Sequence, residues 1–386
     1  MSPLERAVDS PSGDTSAGEL PPPEADRTPL EALERSLVPA LESTPCVVSF
    51  SGGRDSSAVL AAAVGVARRL GLPLPVPVTI RVVGRPEADE AGWQELVIRH
   101  LGLEDWQIIP QGEELDLLGP PAKTALRRYG PLHPSQAFTQ LPLFEVAASG
   151  SFLTGWDGDG LFGTWQYEGP AALLTRRQKP APRDVLRLAK GLSPPPLRRR
   201  WLRRVAPSFP WLRPAAQAEH DAAWARGMAL EPLRWDRRVA WYARRRAVHG
   251  VMDTAARLAA ASSTEVFHPL LDPPFLSALA HAGGRSGLGG RTAVMRAVFG
   301  GVLPDEVLSR ESKADFTLAY WGEHSREFAR AWNGRGVAGD LVDPDALRKA
   351  WLAPVPHHAS AALLQQAWLT ASGGESEQPL DGAGER

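Results

Sequence analysis

The sequence predicts an α/β fold: a parallel, doubly wound sheet followed by an extensive C-terminal helical region. Three observations predict it. Short Val- and Ile-rich runs alternate with longer helical segments between about residues 29 and 165. The first run leads into a Gly-Gly turn that opens an Ala-rich helix. From about residue 170 to 350, Trp, Arg and Ala dominate, with helical spacing and few strand signals.

The elements follow in order. Residues 1–28 are rich in Pro, Ser, Gly and acid and poor in large apolar groups, so a disordered tail is expected. "LEALERSLVPAL" has helical spacing, and "CVVSFS" is a short apolar run that reads as a buried strand. "SSAVLAAAVGVARRLGL" is a helix, closed by its Gly-Leu-Pro stop. "VPVTIRVV" is a second strand, "EADEAGWQELVIRHLGL" a helix and "WQIIPQ" a third strand. "QLPLFEVAAS" is helical, and "GSFLTGW" is a fourth strand. "SPPPLRRRWLRR" reads as a hinge or loop start. The chain thus divides into a tail (1–28), an α/β core (29–170), a mainly helical region (171–372) and a second tail (373–386).

Composition narrows the function classes. The 386 residues are 43% hydrophobic and 23% charged, ordinary for a globular protein. The formal net charge is −1, so no overall field draws the chain to nucleic acid or membrane. The Arg clusters at 198–204 and 244–246 read as solvated helix faces, which makes nucleic acid an unlikely partner. The single cysteine, Cys46, lies in an apolar run and reads as a core residue, so disulfide and thiolate-metal chemistry are not expected. The start has no basic segment or apolar core of a signal peptide, and no apolar run approaches the length of a membrane helix. A cytoplasmic location without membrane contact is expected.

Chemistry concentrates at the turn "SGGRDSS", residues 51–57. Two glycines let backbone N–H groups approach an anion, and the helix that follows aims its N-terminus at the same point. Ser51, Ser56 and Ser57 add hydroxyls. Asp55 is the distinguishing residue. A carboxylate beside a phosphate cradle needs a cation between them, and Mg²⁺ is held in this way by one or two carboxylates plus phosphate oxygens. The Lys-containing loop of the common ATPases is missing.

"SGGRDSS" resembles the SGGxDS loop of the N-type ATP pyrophosphatases, the PP-loop enzymes that split ATP between its α and β phosphates. Later segments resemble one branch, the asparagine synthetase-like synthetase domain. "FLTGWDGDGLFGTW" is similar to SGExxDExFGGY, through Thr154-Gly155, Asp159 and Phe162-Gly163. Asp89-Glu90 fall on the family's DE pair. "STEVFHPLLD" is similar to EVRxPFLD, and "LPDEVLSRESKADF" to LPxEVLxRxKxxF, the latter through Leu303, Pro304, Arg310, Lys313 and Phe316.

The resemblance implies a HUP-like sheet of the adenine nucleotide alpha hydrolase type, with ATP and Mg²⁺ as cofactors. It implies ATP binding by Phe50, Ser51, Gly52, Gly53, Asp55, Ser56, Ser57, Val82, Thr154 and Gly155. It implies Mg²⁺ on Asp55 and Asp159, and catalytic roles for both together with Lys313, which would neutralise charge on the phosphates.

Three departures bear on the substrate. Met1-Ser2 stands where glutamine-using relatives begin a glutaminase domain with a cysteine, so another amine, free ammonia or a partner's glutaminase is expected. Trp156 replaces the Glu of the SGE triplet, a position that carries Tyr in β-lactam-forming relatives, and Gly160 replaces the next acid. Asp157 and His268 remain as base candidates. Phe267 replaces the Arg of EVRxPFLD, so the pocket is aromatic and aspartate is a doubtful substrate.

The leading expectation is an AMP-forming carboxylate–amine ligase acting in peptide or natural-product biosynthesis, similar to the lasso-peptide macrolactam cyclases. Its partners would be a small-molecule or peptide carboxylate, a precursor peptide and companion biosynthetic proteins. The alternatives are an ammonia-using asparagine synthetase, a non-catalytic nucleotide-binding partner protein, and a tRNA-modifying ligase.

Overall fold

The computed structural model describes residues 1–16, 18–24, 27–163, 165–174, 182–312 and 314–373. Five strands form one all-parallel sheet: β1 (Cys46–Ser49), β2 (Val76–Val82), β3 (Gln107–Gln111), β4 (Ser151–Leu153) and β5 (Glu265–Phe267). Their spatial order is β3-β2-β1-β4-β5. The chain winds outward one way from β1 to β3, then returns to place β4 on the other side of β1. The point where a parallel sheet reverses its winding is where a crevice opens at the carboxyl ends of the strands. Here that crevice lies between β1 and β4, which pair through Val47↔Phe152 and Val48↔Leu153.

The first helices are α1 (Pro3–Ala7), α2 (Pro29–Glu42), α3 (Arg54–Leu70), α4 (Ala91–Leu101), α5 (Pro120–Tyr129), α6 (Leu141–Val146) and α7 (Gly158–Phe162). Gly71 and Gly102 end α3 and α4 in the left-handed conformation, as their positions after apolar-periodic runs predict. The helical region continues with α8 (Glu168–Leu174), α9 (Pro182–Leu192), α10 (Pro195–Arg203), α11 (Pro214–Met228), α12 (Trp235–Ala243), α13 (Arg246–Ala259), α14 (Pro273–Gly283) and α15 (Arg291–Phe299). It ends with α16 (Asp305–Leu308), α17 (Thr317–Tyr320), α18 (Glu323–Ala331), α19 (Pro344–Trp351) and α20 (Ala361–Ala371).

The four expected strands are present. The fifth, β5, lies inside the region read as helical; it is three residues long and pairs only with β4. Two apolar cores cover the two faces of the sheet. One joins Val48, Phe50 and the inner face of α3 to Trp235, Phe275 and Phe299. The other joins Val47, Val78 and Phe152 to Trp211, Trp351 and Trp368. Cys46 is buried and free, and burial pushes its thiol up to about 11, which keeps it protonated and inert.

The expected tail over 1–28 is corrected. Ser2 and Glu5 form a reciprocal capping box that starts α1. Ala7 and Val8 are buried in the second core, and the Trp211 indole donates to the Ala7 carbonyl at 2.8 Å. Low average apolarity did not prevent order, because two apolar residues and the Glu5 carboxylate all find partners; Arg246 donates to Glu5 at 2.6 Å. The expected second tail, 373–386, lies outside the described residues except for Gly373.

Candidate active site

The turn after β1 is built by close backbone approach. Phe50 is buried; its N–H donates to the Val78 carbonyl, and its own carbonyl accepts the Thr79 hydroxyl at 2.6 Å. Gly52 sits at φ +83°, and a Cβ there would lie 2.8 Å from Gln94 Cγ, so glycine is required twice over. Gly53 is the N-cap of α3 and has no side-chain cap. The first amides of that 17-residue helix therefore face the crevice with their dipole. Ser56 Oγ donates to the Gly53 carbonyl and accepts the Ser51 N–H, which holds the turn closed.

The loop after β4 meets this turn edge to edge. A Cβ on Gly155 would lie 2.6 Å from the Ser56 nitrogen, and one on Gly158 would lie 2.3 Å from Asp55 Cγ. Both glycines are therefore spaces filled by the other loop. Asp157 adopts φ 64° and turns the chain into α7, whose first turn carries Asp159. Asp55 and Asp159, 104 positions apart in the numbering, thus converge.

A cation already stands between them. Arg291, at the start of α15, donates to Asp55 Oδ2 at 2.7 Å and pairs with Asp159 Oδ1 through its other terminal nitrogen. Burial nevertheless pushes the Asp55 carboxyl up, with Arg291 opposing. Asp55 Oδ1 is buried and has no hydrogen-bond partner. Two carboxylates with one orphaned oxygen, one of them in the first turn of an uncapped helix, suit a hard divalent cation carrying an anionic ligand. Among the described residues no group of three or more His, Cys, Asp or Glu could hold a metal alone. Mg²⁺ fits this site because it characteristically takes its remaining ligands from phosphate and water.

These loops line a cavity of about 380 Å³. Of the sequence-predicted residues, Phe50, Ser51, Gly53, Asp55, Ser56, Val82, Gly155 and Asp159 line it. Gly52, Ser57 and Thr154 do not. Gly52 turns its carbonyl to Arg310, and Ser57 and Thr154 are fully buried behind the loop. Lys313 lies outside the described residues. Its neighbours Glu311, Ser312, Ala314 and Phe316 line the cavity. A buried pair holds that segment. Arg310 grips both oxygens of Glu90 and donates to the Gly52 carbonyl at 3.0 Å, while Glu90 accepts the Ala314 N–H at 2.9 Å.

The far wall is aromatic. Trp156 lines the cavity and packs on His268, ring centroids 5.6 Å apart. His268 Nδ1 bonds the Thr154 hydroxyl at 2.8 Å, and burial lowers its pKa to about 4, so it is neutral at pH 7. Pairing of Leu153 with Phe267 sets these residues side by side. Asp157, the other base candidate, accepts the Tyr242 hydroxyl at 2.9 Å, and burial pushes its carboxyl up. Gly160 makes that contact possible, since a Cβ would lie 1.9 Å from the Tyr242 oxygen.

Sequence reasoning missed Arg291, Tyr242 and Arg238. Arg238 is 1% exposed and donates to the carbonyls of Gly160, Leu161 and Gly163, capping the C-terminal end of α7, the helix whose first turn carries Asp159. Its carboxylate neighbour, Glu231, is pushed up to about 6 by burial, with Arg238 opposing.

The family model described as asparagine synthase matches residues 30–371. Comparison with curated proteins gives no match. The match runs from α2 to the end of α20, so it takes in the sheet, both loops of the crevice and the Arg310 segment together. The chain belongs to the asparagine synthase family.

Proposed function

We propose that this chain, a member of a family of ATP-dependent, amide-forming ligases, adenylates a carboxylate, releases pyrophosphate and delivers the acyl group to an amine. The observation that carries the reading is the Asp55–Asp159 pair, with the orphaned Asp55 Oδ1, at the uncapped N-terminus of α3. In this reading the triphosphate lies against the amides after Gly53 and the hydroxyls of Ser51 and Ser56. The adenine and ribose lie along Phe50, Val82 and Gly155. Asp55 and Asp159 hold Mg²⁺, which when bound neutralises the triphosphate and the departing pyrophosphate. Arg291 and Lys313 add positive charge where negative charge grows as the α–β bond breaks.

The acceptor end carries Trp156, neutral His268 and Phe267 in place of charged groups. That lining favours a larger, less charged acid than aspartate, such as a peptide side-chain carboxylate closed on an α-amine in the manner of a macrolactam cyclase. The buried Asp157–Tyr242 pair is the local group able to take a proton from the incoming amine. Within the pair the Asp157 carboxylate is the acceptor: burial raises it and so favours its protonated form, with the hydrogen bond from the Tyr242 hydroxyl opposing.

The test is pyrophosphate release from ATP and Mg²⁺ across a panel of acids and amines, with Asp55→Ala as control. Release that the control abolishes supports the reading; equal traces from both proteins reject it. A second reading, a nucleotide-binding partner without chemistry, is favoured by Arg291 standing between the two acids. It requires Mg·ATP binding by calorimetry with no pyrophosphate under any acceptor.

A further inference from the structure

The helices α9 and α10 pack in an unusual sense. On α9, Val185, Leu186, Ala189 and Leu192 fall on one face at helical spacing, and all four are exposed. The face toward the protein carries Asp184 and Gly191, which are buried. The apolar stripe therefore looks outward. Helix α10 has no buried residue. Among the described residues, twelve large hydrophobics are exposed, and five of them fall between 185 and 205: Val185, Leu186, Leu192, Leu197 and Val205.

The same stretch is strongly cationic. Residues 182–205 hold eight Lys or Arg and one acid, Asp184, in a chain of net charge −1. Asp184 is buried between Arg183 and Arg187, at 3.9 and 3.8 Å. Lys190 lies over the Trp201 ring. Arg199, Arg200, Arg203 and Arg204 are exposed, and none takes part in an ion pair among the described residues.

We propose that the α9–α10 face is a docking surface for an anionic lipid bilayer. An outward apolar stripe flanked by Arg and Lys is the pattern of a helix lying in a membrane interface, where chains accept the stripe and headgroups the cations. The occupant follows from charge and shape. A second copy paired isologously would set this cationic face against itself. An RNA backbone would satisfy the arginines and leave Val185, Leu186 and Leu192 in water. A peptide would need a groove, and the stripe runs along the outer side of one helix. The contact is peripheral, since among the described residues no helix is long and apolar enough to cross a membrane.

The experiment is co-sedimentation of the full chain with vesicles of phosphatidylcholine alone or with about a third phosphatidylglycerol, the anionic fraction that gives the cations a counter-charge. Binding to the anionic vesicles only, weakened by salt, is expected. Each Arg near such a surface strengthens partitioning about five-fold, so R199Q/R200Q/R203Q weakens it roughly a hundred-fold. V185S/L186S/L192S weakens it at least about ten-fold through lost apolar burial. These side chains are exposed, and unchanged thermal melting confirms that both variants fold. No binding to anionic vesicles overturns the proposal. So does full binding by the apolar variant, which would make the face a mere polycation. Capture of RNA in place of vesicles, or a dimer that the apolar variant dissociates, overturns it as well.

Discussion

Replacing Arg310 with Met tests the clamp between the two halves of the crevice. Arg310 and Glu90 are 7% and 8% exposed, so each charge depends on the other. The guanidinium also lies 4.8 Å over the Trp93 ring and donates to the Gly52 carbonyl. Removing Arg310 strands a buried carboxylate, at a cost of about 3–5 kcal/mol, and Glu90→Leu strands the guanidinium at a similar cost. The double variant strands no charge. It leaves two backbone groups, the Gly52 carbonyl and the Ala314 N–H, without partners, at roughly 1–3 kcal/mol each. It is therefore expected to be less destabilised than the two single costs combined, with a coupling of about 3 kcal/mol or more. Urea unfolding of the four proteins, compared at a shared slope, measures this. Single costs below about 1.5 kcal/mol, on the scale of a surface pair, would refute the reasoning. So would additivity within about 0.5 kcal/mol, the behaviour of independent sites.

Gly160→Ala forces the Tyr242 ring away, since the new Cβ would meet its Cζ at 2.5 Å. A loss of about 1–3 kcal/mol is expected, recovered in Gly160→Ala/Tyr242→Leu, and thermal melting of both shows whether the phenol is the obstacle. His268 has a folded pKa of about 4, below its unfolded value. The unfolded chain therefore takes up the proton first, and stability rises with pH between about 4 and 6.5. His268→Gln should remove roughly 2 kcal/mol of the difference between pH 5 and pH 7; urea midpoints that keep the full slope in the variant contradict this. Arg291→Gln removes the guanidinium from between the two carboxylates, so added Mg²⁺ should raise its melting temperature more than that of the parent chain, and an equal rise in both would show that Arg291 does not compete with the cation.

The turn at 51–57 was legible because its signal is local: an apolar run, two glycines and a helix. The convergence of Asp55 with Asp159 was legible only through the family resemblance, since no periodicity links the two positions. Arg291, Arg238 and Tyr242 were not legible. Arg291 meets Asp55 across 236 positions, and Tyr242 meets Asp157 across 85, and an arginine or tyrosine on a helix face carries no mark of such a partner. Strand β5 was hidden by its length, since three residues give no alternation to read. The N-terminal helix had a readable cue in Ser2-Pro-Leu-Glu5, but composition averaged over 28 residues concealed it.

Both cores draw on both parts of the chain. Val48 packs in one cluster with Trp235 and Phe275, and Phe152 in the other with Trp211 and Trp368. The α/β part and the helical part are therefore not modules. Neither can be transplanted alone onto another scaffold, because each would expose one side of two unfinished interiors. If the proposed function holds, a change of acceptor comes from substitution in place, at positions such as Trp156 and Phe267, instead of from exchange of a domain. A backbone cut in the exposed stretch around 203–208 is a different matter. The two fragments would carry complementary halves of the same interiors and have cause to reassociate.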